Sequence, residues 1–142
     1  GSSILLGWAK PVPINHYNFK DQKWGSFKVA VAGSISNFAL ALFFGLLIRI
    51  IPIAFFNAVP GLFLMFSFVV YINIMLAIFN LIPIPPLDGS WILFNFLPSR
   101  LDSIKVFLQQ YGIFILIFLI FVGGLQGLSF LMQFFYHLIT GV

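Results

Sequence analysis

The sequence contains no cysteine and no glutamate, and its only acids are Asp21, Asp88 and Asp102. Without cysteine there is neither a disulfide nor a thiolate metal site. Without glutamate, all side-chain carboxylate chemistry falls to three aspartates. Charged residues make up 7% of the chain, against about 25% in a soluble domain, which excludes an ordinary water-soluble fold. Histidine occurs twice, at His16 and His137. The net charge of +4 is not a nucleic-acid signal, because the basic residues flank apolar runs as membrane topology requires. The chain opens Gly1-Ser2-Ser3 with no charged region ahead of an apolar core, so no signal peptide is read there.

What is present is apolar surface: 61% of the residues, among them 20 phenylalanines, with a mean hydropathy of +1.11. The sequence predicts an all-α polytopic membrane protein, a single membrane-embedded domain over residues 1–142. It should hold about three transmembrane helices, a short extended N-terminal segment and a proline-rich helix break, with the lipid bilayer as its solvent and no nucleic-acid partner. Residues 4–28 form a polar lead-in. Pro11 and Pro13 alternate with apolar residues and suit an extended edge segment. Asn15 to Gly25 reads as a surface loop, with Trp8, Tyr17 and Trp24 as interfacial anchors.

A first span is expected from about Val29 to Ile51, about 34 Å of helix and enough to cross a bilayer core. Gly33, Asn37, Ala41 and Gly45 recur every four residues along it, a stripe that lets helices approach closely in lipid. The Asn37 amide needs a partner in that setting, and either hydrogen bonding between helices or a place facing a site would supply one, the first being favoured. Pro52 ends the span, Ile53 to Gly61 is a short apolar connection, and a second span runs from about Leu62 to Ile82. Asn73, Ala77 and Asn80 share one of its faces, and hydrogen bonding between helices accounts for Asn73. Ser90 to Leu97 should form a short amphipathic helix, and Leu101 to Gln110 a polar surface segment. A third span follows from about Gly112 to Phe135, carrying a Gly-x-x-x-Gly packing signal at Gly123 and Gly127.

The stretch that stands apart is Asn80-Leu81-Ile82-Pro83-Ile84-Pro85-Pro86-Leu87-Asp88-Gly89-Ser90. Its prolines lack N–H donors and bias the preceding residues away from the helical region, so the backbone from Pro83 to Pro86 should be extended or polyproline-like. At membrane depth, irregular backbone survives only inside protein or beside a water-filled cavity. Asp88 is the one acid embedded in apolar sequence, and an ionisable residue so placed is a functional candidate by default. The competing reading has Asp88 capping a helix that starts near Gly89.

Phe79 to Gly89 resembles the second signature of the site-2 proteases, the intramembrane zinc metalloproteases. Ala32-Gly33-Ser34-Ile35-Ser36-Asn37 resembles that family's Ala-Gly-Pro-x-x-Asn element, with Ser34 where proline is usual. Gly7 to Asn15 resembles a segment that follows the zinc-binding helix in one subgroup, where an extended substrate could pair with it. The resemblance implies that Asp88 is a zinc ligand and that Asn80 is catalytic, helping to hold the substrate peptide or the tetrahedral intermediate. It further implies that Asn37, Pro85, Pro86 and Gly89 bind substrate, and that the substrate is the transmembrane segment of another membrane protein.

Zinc hydrolases use three protein ligands, an open position for water and usually a carboxylate base. The usual source, His-Glu-x-x-His on one helix, is absent from this sequence. Lys10, Lys20, Lys23, Lys28, Arg100 and Lys105 lie on the side where the first span begins, and Arg49 on the other. The positive-inside rule makes residues 10–28 and 100–105 cytoplasmic and the C-terminus external. His16 and His137 then fall on opposite faces. The expectation is of a C-terminal portion lacking the zinc-binding helix, with two histidine ligands and the glutamate base upstream in a longer chain. A reading from another class is a non-catalytic membrane scaffold or transporter-like subunit, with Asp88 as an ion-pathway or capping residue.

Overall fold

The computed structural model describes residues 22–142. All regular structure among them is helical: α1 (Gln22–Ile50), α2 (Ile53–Ala58), α3 (Pro60–Asn80), α4 (Gly89–Phe96), α5 (Asp102–Leu119) and α6 (Leu125–Thr140). A 3-10 turn at Ser99–Leu101 leads into α5, and a wide turn at Ile120–Gly124 joins α5 to α6. Trp24–Ile50, Gly61–Asn80 and Ser99–Gly123 are long and apolar enough to cross a membrane, so the all-α, three-span architecture holds. The expected extended segment around Pro11 and Pro13, and the anchors Trp8 and Tyr17, lie outside the described residues.

Helix α1 begins before Val29, within the stretch expected to be a loop. Its first turns gain packing that a linear reading does not show, because α4 lies along them. Phe27 meets Trp24 edge-on at 5.6 Å and Phe96 of α4 at 5.9 Å. Pro52 stops α1, and Pro60 opens α3, where a missing N–H leaves no bond unmade. Between them the expected connection folds into α2, whose buried Phe56 packs edge-on against Phe63 and Phe66 of α3.

The core joins α1, α3 and α6. Ala41, Ile48, Val70, Ile74 and Met132 are its buried members, ringed by Phe44, Phe66 and Phe135. The small-residue stripe of α1 works as its spacing predicts: Ala41 is 0% exposed. A Cβ added at Gly45 would overlap the Cγ2 of Ile139 on α6. The Tyr136 hydroxyl donates to Ser67 Oγ at 3.0 Å, joining α6 to α3 by a polar bond inside apolar surroundings. Outside this core, large apolar side chains such as Phe43, Phe68, Phe114 and Phe121 are exposed, which suits a lipid solvent and no aqueous one.

The third span differs from expectation. No single helix covers Gly112 to Phe135. Helix α5 starts at Asp102, so the expected polar surface segment forms its first turns, where Lys105 pairs with Asp102 at 2.7 Å. The helix then breaks at Gly123, whose φ is 105°, a value that glycine adopts without steric cost. Neither Gly123 nor Gly127 has any atom within 4 Å of where a Cβ would stand, so the Gly-x-x-x-Gly pair packs against nothing described. Asn73 also departs from expectation: its Nδ2 donates to Val69 O at 2.8 Å within its own helix.

Replacing Gly45 by Ala should force α6 away from α1 and destabilise the fold by roughly 1–3 kcal/mol. Gly127→Ala, which meets open space, should be neutral or slightly stabilising. Unfolding midpoints of the two variants in a denaturing-detergent titration check the contrast.

Candidate functional site

Helix α3 ends at Asn80, ahead of the prolines that cannot continue it. The chain then folds through successive tight turns. Ile82 N–H donates to Phe79 O at 3.1 Å, Ile84 N–H to Ile82 O at 2.8 Å, Leu87 N–H to Ile84 O at 3.0 Å and Ser90 N–H to Leu87 O at 3.1 Å. The Pro85–Pro86 bond is cis. The expected extended stretch from Pro83 to Pro86 is thus corrected to a compact chain of turns, because the N–H groups of Ile84 and Leu87, between and just after the prolines, each find a carbonyl close behind them. The turns bring α4 back over the end of α3: Gly89 is buried, and a Cβ there would overlap the carbonyl oxygens of Leu81 and Ile82.

Asp88 stands at the residue before α4, yet its own φ and ψ are −60° and −32° and its side chain makes no capping bond. The capping reading is corrected on that ground. Carboxylate Oδ2 instead lies 3.6 Å from the position a Cβ would take on Gly33 of α1. Burial pushes the Asp88 carboxyl above its ordinary range, since desolvation penalises the charged form.

The other expected site residues fall around this carboxylate in different ways. Asn80 is half-buried, and Leu81, the next residue, carries the carbonyl on which Gly89 sits. Asn80 and Asp88 therefore flank one backbone contact. Asn37 is half-buried one turn beyond Gly33 on the same face of α1, about 6 Å along the helix. Pro85 is half-buried with its carbonyl oxygen against Gly112 of α5, and Pro86 is exposed. Gly89, expected to bind substrate, is buried in the packing of the turn itself.

Two residues at this site were not read as part of it from the sequence. Gly33 is legible from its spacing as a packing residue and falls within the family-like element at residues 32–37, but neither signal sets it beside Asp88. Gly112 carried no signal at all. Nearby, Ser34 and Asn95 are 3% and 7% exposed, and Ser34 Oγ and Asn95 Oδ1 have no hydrogen-bond partner among the described residues.

A zinc site needs three protein ligands. Asp88 fits as one of them, its carboxylate free of a capping bond and only partly buried. Among the described residues no three of His, Cys, Asp and Glu come together. His137 sits at the other end of the bundle, with Nδ1 on the carbonyl of Val142. There Gly141 packs against Arg49, and a Cβ on Gly141 would stand 3.5 Å from the Arg49 Nε. Arg49 is about 24 Å along α1 from Gly33. Among the described residues Asp88 is a single side chain of ligand chemistry at this place, and no second or third stands beside it.

Residues 49–123 match the peptidase family M50 model. "Putative zinc metalloprotease YwhC" of Bacillus subtilis (strain 168) is 34% identical over 134 residues, 88% of this chain and 60% of the relative. "Putative zinc metalloprotease MJ0611" of Methanocaldococcus jannaschii is 41% identical over 68 residues, 46% of this chain and 32% of the relative. The chain thus spans well under two thirds of the length of either relative. No solved structure matches it significantly.

Gly33→Ala places its methyl at ordinary contact distance from Asp88 and should be tolerated. Gly89→Ala drives a methyl into two carbonyl oxygens and should lower the thermal unfolding midpoint markedly. Circular dichroism of the two variants in detergent separates them. A second expectation follows from the partly buried carboxyl. Because its folded pKa lies above its unfolded one, the metal-free protein gains stability as pH falls through the raised value toward the unfolded one. Acidification from neutral pH should therefore raise the melting temperature of the metal-free wild type relative to Asp88→Asn, and a difference constant with pH would contradict the assignment.

Proposed function

From the premise that the chain belongs to peptidase family M50, the site-2 protease family, we propose that it is part of an intramembrane zinc endopeptidase in which Asp88 is a zinc ligand. The observation that carries the reading is the Asp88 carboxylate itself. It is partly buried beside Gly33, in a turn built from backbone contacts, and is not spent on capping α4. An uncapped carboxylate held at the end of a membrane-spanning helix is poorly explained by stability alone, since its desolvation is unfavourable.

In this reading two histidines and a glutamate base come from parts of a longer protein beyond these residues. The chain's coverage of 60% and 32% of the two zinc metalloprotease-named relatives supports that division. Zinc so held supplies Lewis acidity and hydroxide at neutral pH. These residues hold one ligand and line the path of the peptide. Asn80, beside the Leu81–Gly89 contact, offers an amide donor to the substrate peptide or to a developing oxyanion. Asn37, Pro85 and Pro86 lie on the substrate side, and Gly89 keeps the turn closed. The substrate is a transmembrane segment of another protein, unwound at the cleavage point because helical carbonyls are already hydrogen-bonded and shielded. The end bearing Lys28, Arg100 and Lys105 faces the cytoplasm, which puts cleavage near that face.

Asp88→Asn in the full-length protein should abolish zinc retention and cleavage of a reporter transmembrane segment while leaving helicity intact. Asn80→Ala should keep zinc but slow turnover by about a hundredfold to a thousandfold, the scale of losing one oxyanion donor. Metal analysis alongside a cleavage assay reads both, and cleavage unchanged by Asp88→Asn would leave the scaffold reading in its place.

A further inference from the structure

Helix α5 is long enough to cross a membrane with the turn before it, yet Gly112 and Leu116 are its only buried residues. It makes no extensive packing with α1, α3, α4 or α6. One contact seats it closely. Gly112 lies so close to Pro85 that a Cβ there would overlap the Pro85 carbonyl oxygen and stand 3.1 Å from the Pro85 Cβ. Pro85 belongs to the turns that carry Asp88. Leu87 N–H bonds Ile84 O at 3.0 Å, and the Ser90 hydroxyl bonds Leu87 O at 2.7 Å. The far side of the same unit is closed by Gly89 on the carbonyls of Leu81 and Ile82, and by Gly33 beside the carboxylate.

We propose that Gly112 is a positioning residue for Asp88: α5 seats on the Pro85 carbonyl through Gly112 and thereby fixes the turn that presents the carboxylate. The inference rests on the zinc-ligand reading of Asp88. The physical basis is that the turn is held at Gly89, where backbone meets the carbonyls of Leu81 and Ile82, and that α5 meets it at Pro85 by a second backbone contact, through Gly112. A methyl at Gly112 pushes α5 and Pro85 apart and passes the displacement to Asp88 through two short turns. The core of α1, α3 and α6 is insulated from it, because α5 makes no extensive packing with those helices.

The test compares full-length wild type, Asp88→Asn, Gly112→Ala and Gly127→Ala in detergent, measuring zinc affinity, the visible spectrum of the cobalt-substituted protein and the metal-free unfolding midpoint. Gly112→Ala should weaken zinc by about tenfold to a hundredfold, the range for groups that orient a ligand. It should also shift the cobalt spectrum, with a near-native metal-free midpoint. Gly127→Ala, which meets open space, should match wild type throughout. Wild-type zinc affinity in Gly112→Ala, with zinc lost in Asp88→Asn, overturns this inference and leaves the zinc-ligand reading standing. Wild-type affinity in Asp88→Asn overturns both. Should Gly112→Ala fail to fold, Leu116→Ala, at the other buried position of α5 one turn along, loosens the seating of the helix without any overlap. It should weaken zinc in the same direction, and unchanged affinity there overturns the inference.

Discussion

Backbone lies directly against backbone where the chain passes from α3 to α4, and the rest of the site depends on that contact. Gly89 rests on the last carbonyls past α3, Gly112 of α5 rests on the Pro85 carbonyl, and Gly33 of α1 faces the Asp88 carboxylate. Elements far apart in sequence thus converge on one short stretch of chain, and glycine stands at each point of contact. A carbonyl oxygen can approach a Cα that carries only hydrogens, and at Gly89 and Gly112 any larger residue would part the elements. The prolines complete the arrangement. They end α3 sharply and leave few N–H groups to satisfy, and those of Ile84 and Leu87 are bonded within the turns.

The bilayer sets a second demand, that polar groups within the spans find partners inside the protein. Most do so on their own helix. Ser36 bonds Ala32 O, Asn73 bonds Val69 O and Thr140 bonds Tyr136 O. Tyr136 reaches across to Ser67. Sorting the polar side chains this way separates those absorbed by the fold from those left over. Asn37, Asn80 and Asp88 make none of these bonds; Asn80 and Asp88 border the turn region, and Asn37 stands one turn along α1 from Gly33, which meets the Asp88 carboxylate. Their position there, and not their polarity as such, is what distinguishes them from Asn73, which shares a face with Asn80 but is bonded within α3.

Much of this was legible in the chain. The four-residue spacing of Gly33, Asn37, Ala41 and Gly45 predicted a close-packing face on α1, and Ala41 and Gly45 serve it against α3 and α6. The Asn80 to Asp88 stretch announced itself by its prolines and its isolated acid. The break in the third span is not legible because hydrophobicity alone does not locate one: Gly123 and Gly127 look like a packing motif, whereas Gly123 supplies a positive φ. The start of α1 was placed late because its polar first turns are held by Phe27 against Phe96, a contact between residues about seventy positions apart. Gly112 was invisible for a similar reason, since nothing near it in sequence indicates that Pro85 lies above it.

Sequence alone determined the solvent, the number of spans and the family, because composition fixes the transfer free energy of each segment and the Asn80–Gly89 motif is local. It also singled out Asp88, since an acid in apolar sequence is costly wherever the chain places it. Tertiary structure decided what that acid is free to do. Whether Asp88 caps α4 or faces α1 depends on a turn that Gly89 closes against the Leu81 and Ile82 carbonyls and that meets α5 where Pro85 lies on Gly112. Those contacts join parts of the chain that only folding brings together.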